Sequence, residues 1–285
     1  MTLFIAGVDF AKGRVGDDVA PNRPYFELGW EVISTHFDVK RGKAEGWIDS
    51  QNDVIVTCSG REFLYATEFQ NVVEYRALSD FGTGGIVDFT QRYRGGSFHP
   101  NYFANGRPGK NSKSRFLTEH RDLALSISRV ETASLHDGQP YCCLAARRRD
   151  HGAYRNMTCA RGRYIIKHLL TLCPKVFLVG HDTEDLLIDD RVVPVDLVTY
   201  VSLIANTLCM LAVGTMTGTM QLAALYSRAK LCIVISNYDS FDAEVDNSPV
   251  NLGPCIRISP SKFVFVPPSL FELVFDAWVD ALKRG

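Results

Sequence analysis

The sequence predicts an α/β protein built as two doubly wound lobes with a cleft between them and a helix at the carboxy terminus. Three observations carry that expectation. The 285 residues suffice for two lobes that each enclose a core. Short apolar runs alternate with stretches long enough for a helix or crossover, the pattern of βαβ units on a parallel sheet. The alternation restarts after the polar run 131–140, whose Asp137-Gly138 pair and closing proline mark a linker. The domains expected are therefore 1–135 and 136–285, each Rossmann-like.

The elements follow in order. Leu3 to Val8 is a short apolar run that ends in a loop rich in Gly, Lys and Asp, so it reads as a buried strand feeding a functional loop. Strands are expected again at 31–37, 53–58 and 71–75. From 80 to 113 glycines, aromatics and basic residues alternate without a period, which reads as long loops. A helix is expected over 117–129 from Leu123, Leu125, Ile127 and Val130. Beyond the linker the reading is strand 141–146, helix 158–172, strand 175–180, helix 197–208, strand 210–214, helix 218–227 and strand 231–236. In the final segment Leu270, Phe271, Val274, Phe275, Trp278 and Leu282 recur at helical spacing behind Ser269 as N-cap. That helix is expected to dock its apolar face on a sheet.

Composition excludes several classes. The chain is 46% hydrophobic and 22% charged, which rules out a disordered or collagenous protein. No apolar run reaches the ~20 residues of a membrane span, and the opening lacks the basic flank of a signal peptide. A cytoplasmic protein is the expectation. The eight cysteines show no C-x-x-C spacing and lie in apolar contexts, so buried free thiols are expected rather than disulfides or zinc ligands. Lys plus Arg total 31 against 32 for Asp plus Glu, so the chain as a whole is not a polyanion binder. Cations nevertheless concentrate at Arg92, Arg94, Arg107, Lys110, Lys113, Arg115 and Arg121, a local basic loop.

Two segments carry chemistry. The first, Ala145-Ala146-Arg147-Arg148-Arg149-Asp150-His151-Gly152-Ala153-Tyr154-Arg155, follows the first strand of the second lobe. Guanidinium stays charged and forks onto phosphate oxygens, so arginines at a strand's carboxyl end fit a diphosphate, the alternative being a solvated charged loop. The second runs Val213-Gly214-Thr215-Met216-Thr217-Gly218-Thr219-Met220-Gln221-Leu222-Ala223. Small residues lead there from a strand into a helix, which aims backbone N–H groups and the positive end of the helix dipole outward. Phosphate suits that turn; a tight turn with Thr217 or Thr219 as N-cap is the other reading.

Taken in order, the arginine loop, the strand ending Val179-Gly180 and the turn Thr217-Gly218-Thr219-Met220-Gln221-Leu222-Ala223 resemble the donor half of GT-B glycosyltransferases. The likeness is greatest to the bacterial heptosyltransferase group, in which a D-S/T-G-x-x-H-L-A turn cradles the donor diphosphate. Met216 stands in place of that motif's Asp, and Gln221 in place of its His. In the first lobe, Gly16-Asp17-Asp18-Val19 resembles the group's G-D-V loop, whose acidic residue is the catalytic base.

The resemblance implies a sugar transfer from a nucleotide-diphosphate sugar, which serves as co-substrate without any further cofactor or metal. It implies Asp17 as base, with Asp18 and then Asp9 as alternates, and Arg147, Arg149, Arg155, Thr217, Gly218 and Thr219 around the diphosphate. Gly180 and His181 are placed near the nucleotide. The amino-terminal lobe would take the acceptor, a glycan or DNA lying along the basic loop 92–121. A non-catalytic nucleotide-binding or interaction protein is the alternative.

Overall fold

A computed structural model describes residues 2–5, 28, 32, 36–46, 48–74, 85–88, 120–148, 156–236 and 260–284. The chain divides into two compact units, 1–128 and 129–285. Both are mixed α/β with parallel sheets.

In the amino-terminal unit the strands are β1 (Thr2–Ile5), β2 (Val54–Thr57), β3 (Asn71–Glu74) and β4 (Gly85–Asp88), with helices α1 (His36–Ala44) and α2 (Arg121–Ala124). The sheet order is β3-β2-β1-β4, with every neighbour parallel. Phe4 and all of β2 are buried, as four-residue strands in a covered parallel sheet must be.

Three expectations are corrected in this unit. His36 and Phe37, read as the end of a strand at 31–37, form the first turn of α1. Asp38 in that turn and Arg41 and Lys43 in the last one match the helix dipole, and this local preference prevails over the β-branched run before it. The supposed long loop at 80–113 contains β4, in which Ile86-Val87 between a glycine and an aspartate supplies too short an apolar run to stand out. Of the helix expected over 117–129, the described residues form α2 and no more beyond it, because Leu125 closes it and Ser128 N–H bonds instead to the Phe63 carbonyl at 2.9 Å.

The carboxy-terminal unit contains α3 (Ala133–His136), β5 (Tyr141–Ala145), α4 (Cys159–Leu172), β6 (Lys175–Val179) and β7 (Val192–Pro194). Next come α5 (Leu197–Ile204), β8 (Cys209–Thr215), α6 (Gly218–Tyr226), β9 (Leu231–Ile235), β10 (Lys262–Val266) and α7 (Phe271–Arg284). The six parallel strands are ordered β10-β9-β8-β5-β6-β7. The chain thus winds outward from β5 to β7, then returns to the other side of β5 and winds outward again.

The pleat sorts this core into two faces. Cys142 and Leu144 of β5, with Ala146 just beyond it, Leu211 and Val213 of β8 and Ile233 and Ile235 of β9 pack with Ile165, Ile166 and Leu169 of α4 and Phe271, Phe275 and Val279 of α7. Those α7 positions recur every four residues and are essentially inaccessible, which fixes the helix on the sheet as its periodicity predicts.

Thr158 caps α4, its hydroxyl accepting from Arg161 N–H at 3.2 Å. Ser269 is not the cap of α7; it sits in a 3-10 turn, Pro268–Leu270, whose proline opens the helix instead. The expected linker holds α3, and the strands β7 and β10 were not anticipated. Cys142, Cys143, Cys173, Cys209 and Cys232 are buried free thiols, as expected. No described helix is long and apolar enough to cross a membrane.

Tyr141 shows what fixes β5. Its ring is fully buried, stands edge-on to Phe177 at 5.1 Å, and its hydroxyl donates to the Leu203 carbonyl at 2.8 Å. Tyr141→Phe is expected to lower stability by about 1 kcal/mol, the net worth of one buried hydrogen bond. An unchanged urea midpoint would show that the bond contributes nothing.

Candidate functional site

A doubly wound sheet opens a crevice at the carboxyl ends of the two strands from which the chain winds in opposite directions. In the carboxy-terminal unit these are β5 and β8, paired from Tyr141 to Ala145. The segments leaving them are Ala146-Arg147-Arg148 and Met216-Thr217-Gly218, the two segments singled out by their sequence. The fold brings them side by side.

Close packing of backbones makes the crevice. At Gly214, opposite Ala145, a Cβ would fall 2.7 Å from the Ala145 carbonyl oxygen and 2.8 Å from the Ala145 Cβ. Only glycine lets β8 run flush against β5 into the turn. Met216 N–H then bonds to the Ile235 carbonyl at 3.0 Å, and Gln221 N–H makes the first bond of α6, to the Thr217 carbonyl at 3.0 Å. Thr217 has extended N-cap geometry, but its side chain makes no capping bond. The first-turn amides of α6, from Gly218 to Met220, therefore lie ahead of the first helical bond, at the positive end of the dipole. Thr217, Gly218 and Thr219 are half-buried.

Arg147 is only 9% exposed, and its Nη1 donates to Asn156 Oδ1 at 2.7 Å while its carbonyl accepts from Met157 N–H at 2.9 Å. These two bonds fasten the strand end to the approach of α4. Arg148 turns the other way. Its Nη1 bonds Asp185 Oδ1 at 2.5 Å and the Asp182 carbonyl at 3.3 Å, and the guanidinium holds the Asp185 carboxyl below its ordinary value. Gly180 and His181 follow β6 at the same edge of the sheet, both exposed.

Arg147, Thr217, Gly218, Thr219, Gly180 and His181 thus all sit at the carboxyl edge of this sheet. Asp9, Asp17, Asp18, Arg149 and Arg155 lie outside the described residues, as does the basic loop apart from Arg121. Sequence reasoning passed over Asp185, and gave Arg148 and Thr215 no individual role within the two segments it singled out. The signal for Arg148 was present, an arginine three residues past the buried end of β5. Nothing in the sequence marks Asp185 as its partner, because the pair depends on how the 3-10 turn Glu184–Leu186 folds back. Among the described residues no group of His, Cys, Asp and Glu is arranged to hold a metal ion.

No family model matches the chain, and no curated protein matches it. Solved structures do. The chain aligns with E. coli ADP-heptose LPS heptosyltransferase II over 99% of both chains, at TM-score 0.53 and 10% identity. An E. coli heptosyltransferase solved with ADP aligns over 99% of this chain and 100% of its own, at TM-score 0.50 and 12% identity. A glycosyl transferase family 9 structure from Veillonella parvula aligns over 97% of this chain and 88% of its own, at TM-score 0.50 and 10% identity. The chain shares the fold of these glycosyltransferases. At such identities the likeness is one of fold.

Proposed function

We propose that this chain is a glycosyltransferase that moves a sugar from a nucleotide-diphosphate sugar to an acceptor hydroxyl, with the donor held by the carboxy-terminal unit. One observation carries the reading. In a sheet of the kind the heptosyltransferases possess, the switch point joins a buried arginine at the end of β5 to a glycine-lined turn and a helix N-terminus after β8. That combination supplies fixed N–H donors, a favourable dipole and a guanidinium, which is what a diphosphate requires.

In this reading the acceptor oxygen bonds to the anomeric carbon as that carbon's bond to the diphosphate oxygen breaks. The hydroxyl proton passes to a carboxylate, for which Asp17 is assigned with Asp18 as alternate. Arg147, Arg149, Arg155 and the α6 terminus stabilise the departing diphosphate, so the reaction needs no metal or further cofactor. The amino-terminal unit takes the acceptor, a glycan or DNA lying along the basic loop 92–121, in the cytoplasm.

Thr219→Glu tests the donor site. A carboxylate in the first turn of α6 stabilises the helix by about 0.3–1 kcal/mol yet repels a diphosphate. The variant is expected to melt no lower than the parent while its affinity for the best of UDP, GDP, ADP and CMP falls at least about tenfold, or about 1.4 kcal/mol. Equal nucleotide affinity in variant and parent would remove the α6 turn from the site.

A second reading, a nucleotide-binding protein without catalysis, has its own support. Met216 and Gln221 place neutral side chains at the turn, and Met216 is 8% exposed, packed rather than presented to a ligand. Slow hydrolysis of the bound sugar nucleotide, lost in Asp17→Asn, favours the enzyme. Binding with no turnover favours the second reading.

A further inference from the structure

The opposite, amino-terminal edge of the six-stranded sheet holds thiols that the sugar transfer does not use. Side chains alternate across a strand, so the adjacent Cys142 and Cys143 of β5 leave on opposite faces, and each meets a second cysteine. Cys142 Sγ donates to Cys173 Sγ at 3.5 Å, and Cys209 Sγ donates to Cys143 Sγ at 3.9 Å. Cys142 and Cys173 lie in the core on the α4 and α7 face. All four are buried free thiols.

The two pairs differ in what holds them. Cys143 and Cys209 both stand inside strands of one parallel ladder, Cys143 opposite Ala212 and Cys209 opposite Tyr141, so neither backbone shifts without disturbing the pairing of β5 with β8. Cys173 lies outside regular structure. It ends α4 in an extended conformation, φ −140° and ψ 151°, one residue before the exposed Pro174. Its N–H is held by the Leu169 carbonyl at 3.0 Å. A disulfide places its sulfurs about 2.05 Å apart, and turning this one helix-end residue closes the remaining gap of about 1.5 Å.

Electrostatics favours the same pair. The Cys173 sulfur accepts the Cys142 S–H, and the Lys230 ammonium adds to that effect, so against burial its pKa goes below the ordinary thiol value. Burial pushes the Cys142 thiol up. One sulfur is thus disposed to act as nucleophile while its neighbour keeps its proton.

We propose that Cys142 and Cys173 form a two-electron redox site, in which hydrogen peroxide closes a reversible disulfide between the end of α4 and the start of β5. The Cys173 thiolate attacks one peroxide oxygen, the O–O bond breaks, and the hydroxide released takes up the proton that Cys173 gave away. The Cys142 sulfur then bonds to the sulfur of the Cys173 sulfenic acid, and the displaced hydroxyl leaves as water with the Cys142 proton. Two thiols and one peroxide give one disulfide and two waters. The bond joins residues 31 positions apart, with the arginine run and all of α4 between them. Oxidation therefore clamps both ends of that segment, and the site does not depend on the donor reading.

The test is titration of the folded protein with hydrogen peroxide, then denaturation in iodoacetamide, tryptic digestion and mass spectrometry without reductant. A link is expected between the peptides 130–147 and 168–175, and none to the peptide that carries Cys209. It should persist in Cys143→Ala, be lost in Cys142→Ala and in Cys173→Ser, and disappear from the parent on treatment with dithiothreitol. In Cys142→Ala no second thiol resolves the sulfenic acid, so dimedone should label Cys173. The oxidised parent is expected to melt about 5 °C or more above the reduced one, because a cross-link restricts the unfolded chain, whereas peroxide should not raise the melting temperature of Cys142→Ala. A link made by Cys143, a link between Cys142 and Cys173 that forms only in urea, or a parent whose melting temperature does not rise on oxidation overturns the site.

Discussion

Replacing Gly180 by alanine is expected to destabilise the carboxy-terminal unit by about 3 kcal/mol or more, at the upper end of the cost of overpacking a core. Gly180 follows β6 with a φ of 159°, and a Cβ there would stand 2.1 Å from the Ala146 carbonyl oxygen, 3.1 Å from its carbon and 2.9 Å from Thr183 Cγ2. The first two obstacles are backbone, which no rotamer change relieves. Relief requires β5 and β6 to part where Ala146 N–H bonds the Val179 carbonyl at 2.9 Å, one residue before Arg147. Loss of stability and displacement of the two arginines should therefore come together. The control is Gly138→Ala: φ is 72° there, but nothing lies within 4 Å of the added carbon, so only the backbone preference is lost, about 1 kcal/mol. Thermal unfolding followed by circular dichroism should place the Gly180 variant about 6–12 °C below the parent, on the usual scale of 2–4 °C per kcal/mol. Equal shifts for the two variants would mean that β5 and β6 can separate freely and that the close approach constrains nothing.

The same approach of backbones explains which parts of the molecule the sequence displays. Where one element is specified by its own residues, the reading is near the structure: Thr158 caps α4, Gly214 and Gly218 bracket the turn, and Phe271, Phe275 and Val279 face one way. Where an element exists because a neighbour pairs with it, the signal is faint. The strand β7 is three residues ending in proline, tolerable because β7 is an edge strand paired only with β6. Lys262–Val266 is half-exposed along most of its length and is held as β10 by its register with β9. His36 and Phe37 sit in a stretch whose β-branched residues favour a strand, yet burial of His36, Phe37, Val39 and Lys40 on one helix decides otherwise.

The site divides along the same line. Arg147, Thr217, Gly218 and Thr219 could be placed from sequence because a strand end and a strand-to-helix turn are local features. Arg148 stands in the same run, but its pairing could not be read, because Asp185 comes from the 3-10 turn that follows β6. The sequence shows four arginines in nine positions and offers no means of telling the one that fastens the strand end, through Asn156, from the one that pairs with Asp185.

Lys40 gives the amino-terminal unit a pH dependence that a variant should remove. The side chain is fully buried on α1, and its Nζ donates to the Ser126 carbonyl and, at 3.3 Å, to Ser126 Oγ. Burial pushes its pKa down to about 7; Glu68 opposes the shift and Lys43 adds to it. In the unfolded chain the same amine titrates near ~10.4. Between those values the unfolded state holds a proton that the folded state has lost, so stability rises with pH, by about 1.4 kcal/mol per unit, and about 4–5 kcal/mol is the ceiling over the window. Below the folded value both states are charged and the slope disappears. Lys40→Met removes the titration together with the bond to Ser126, which costs about 1–2 kcal/mol at any pH. The stability curves of parent and variant are therefore expected to cross: the variant is the more stable at pH 7 and the less stable near pH 10. Subtracting one curve from the other cancels every other group that titrates in that range. Parallel curves between pH 7 and 10 would show that Lys40 keeps its proton in the folded state, with Glu68 outweighing burial.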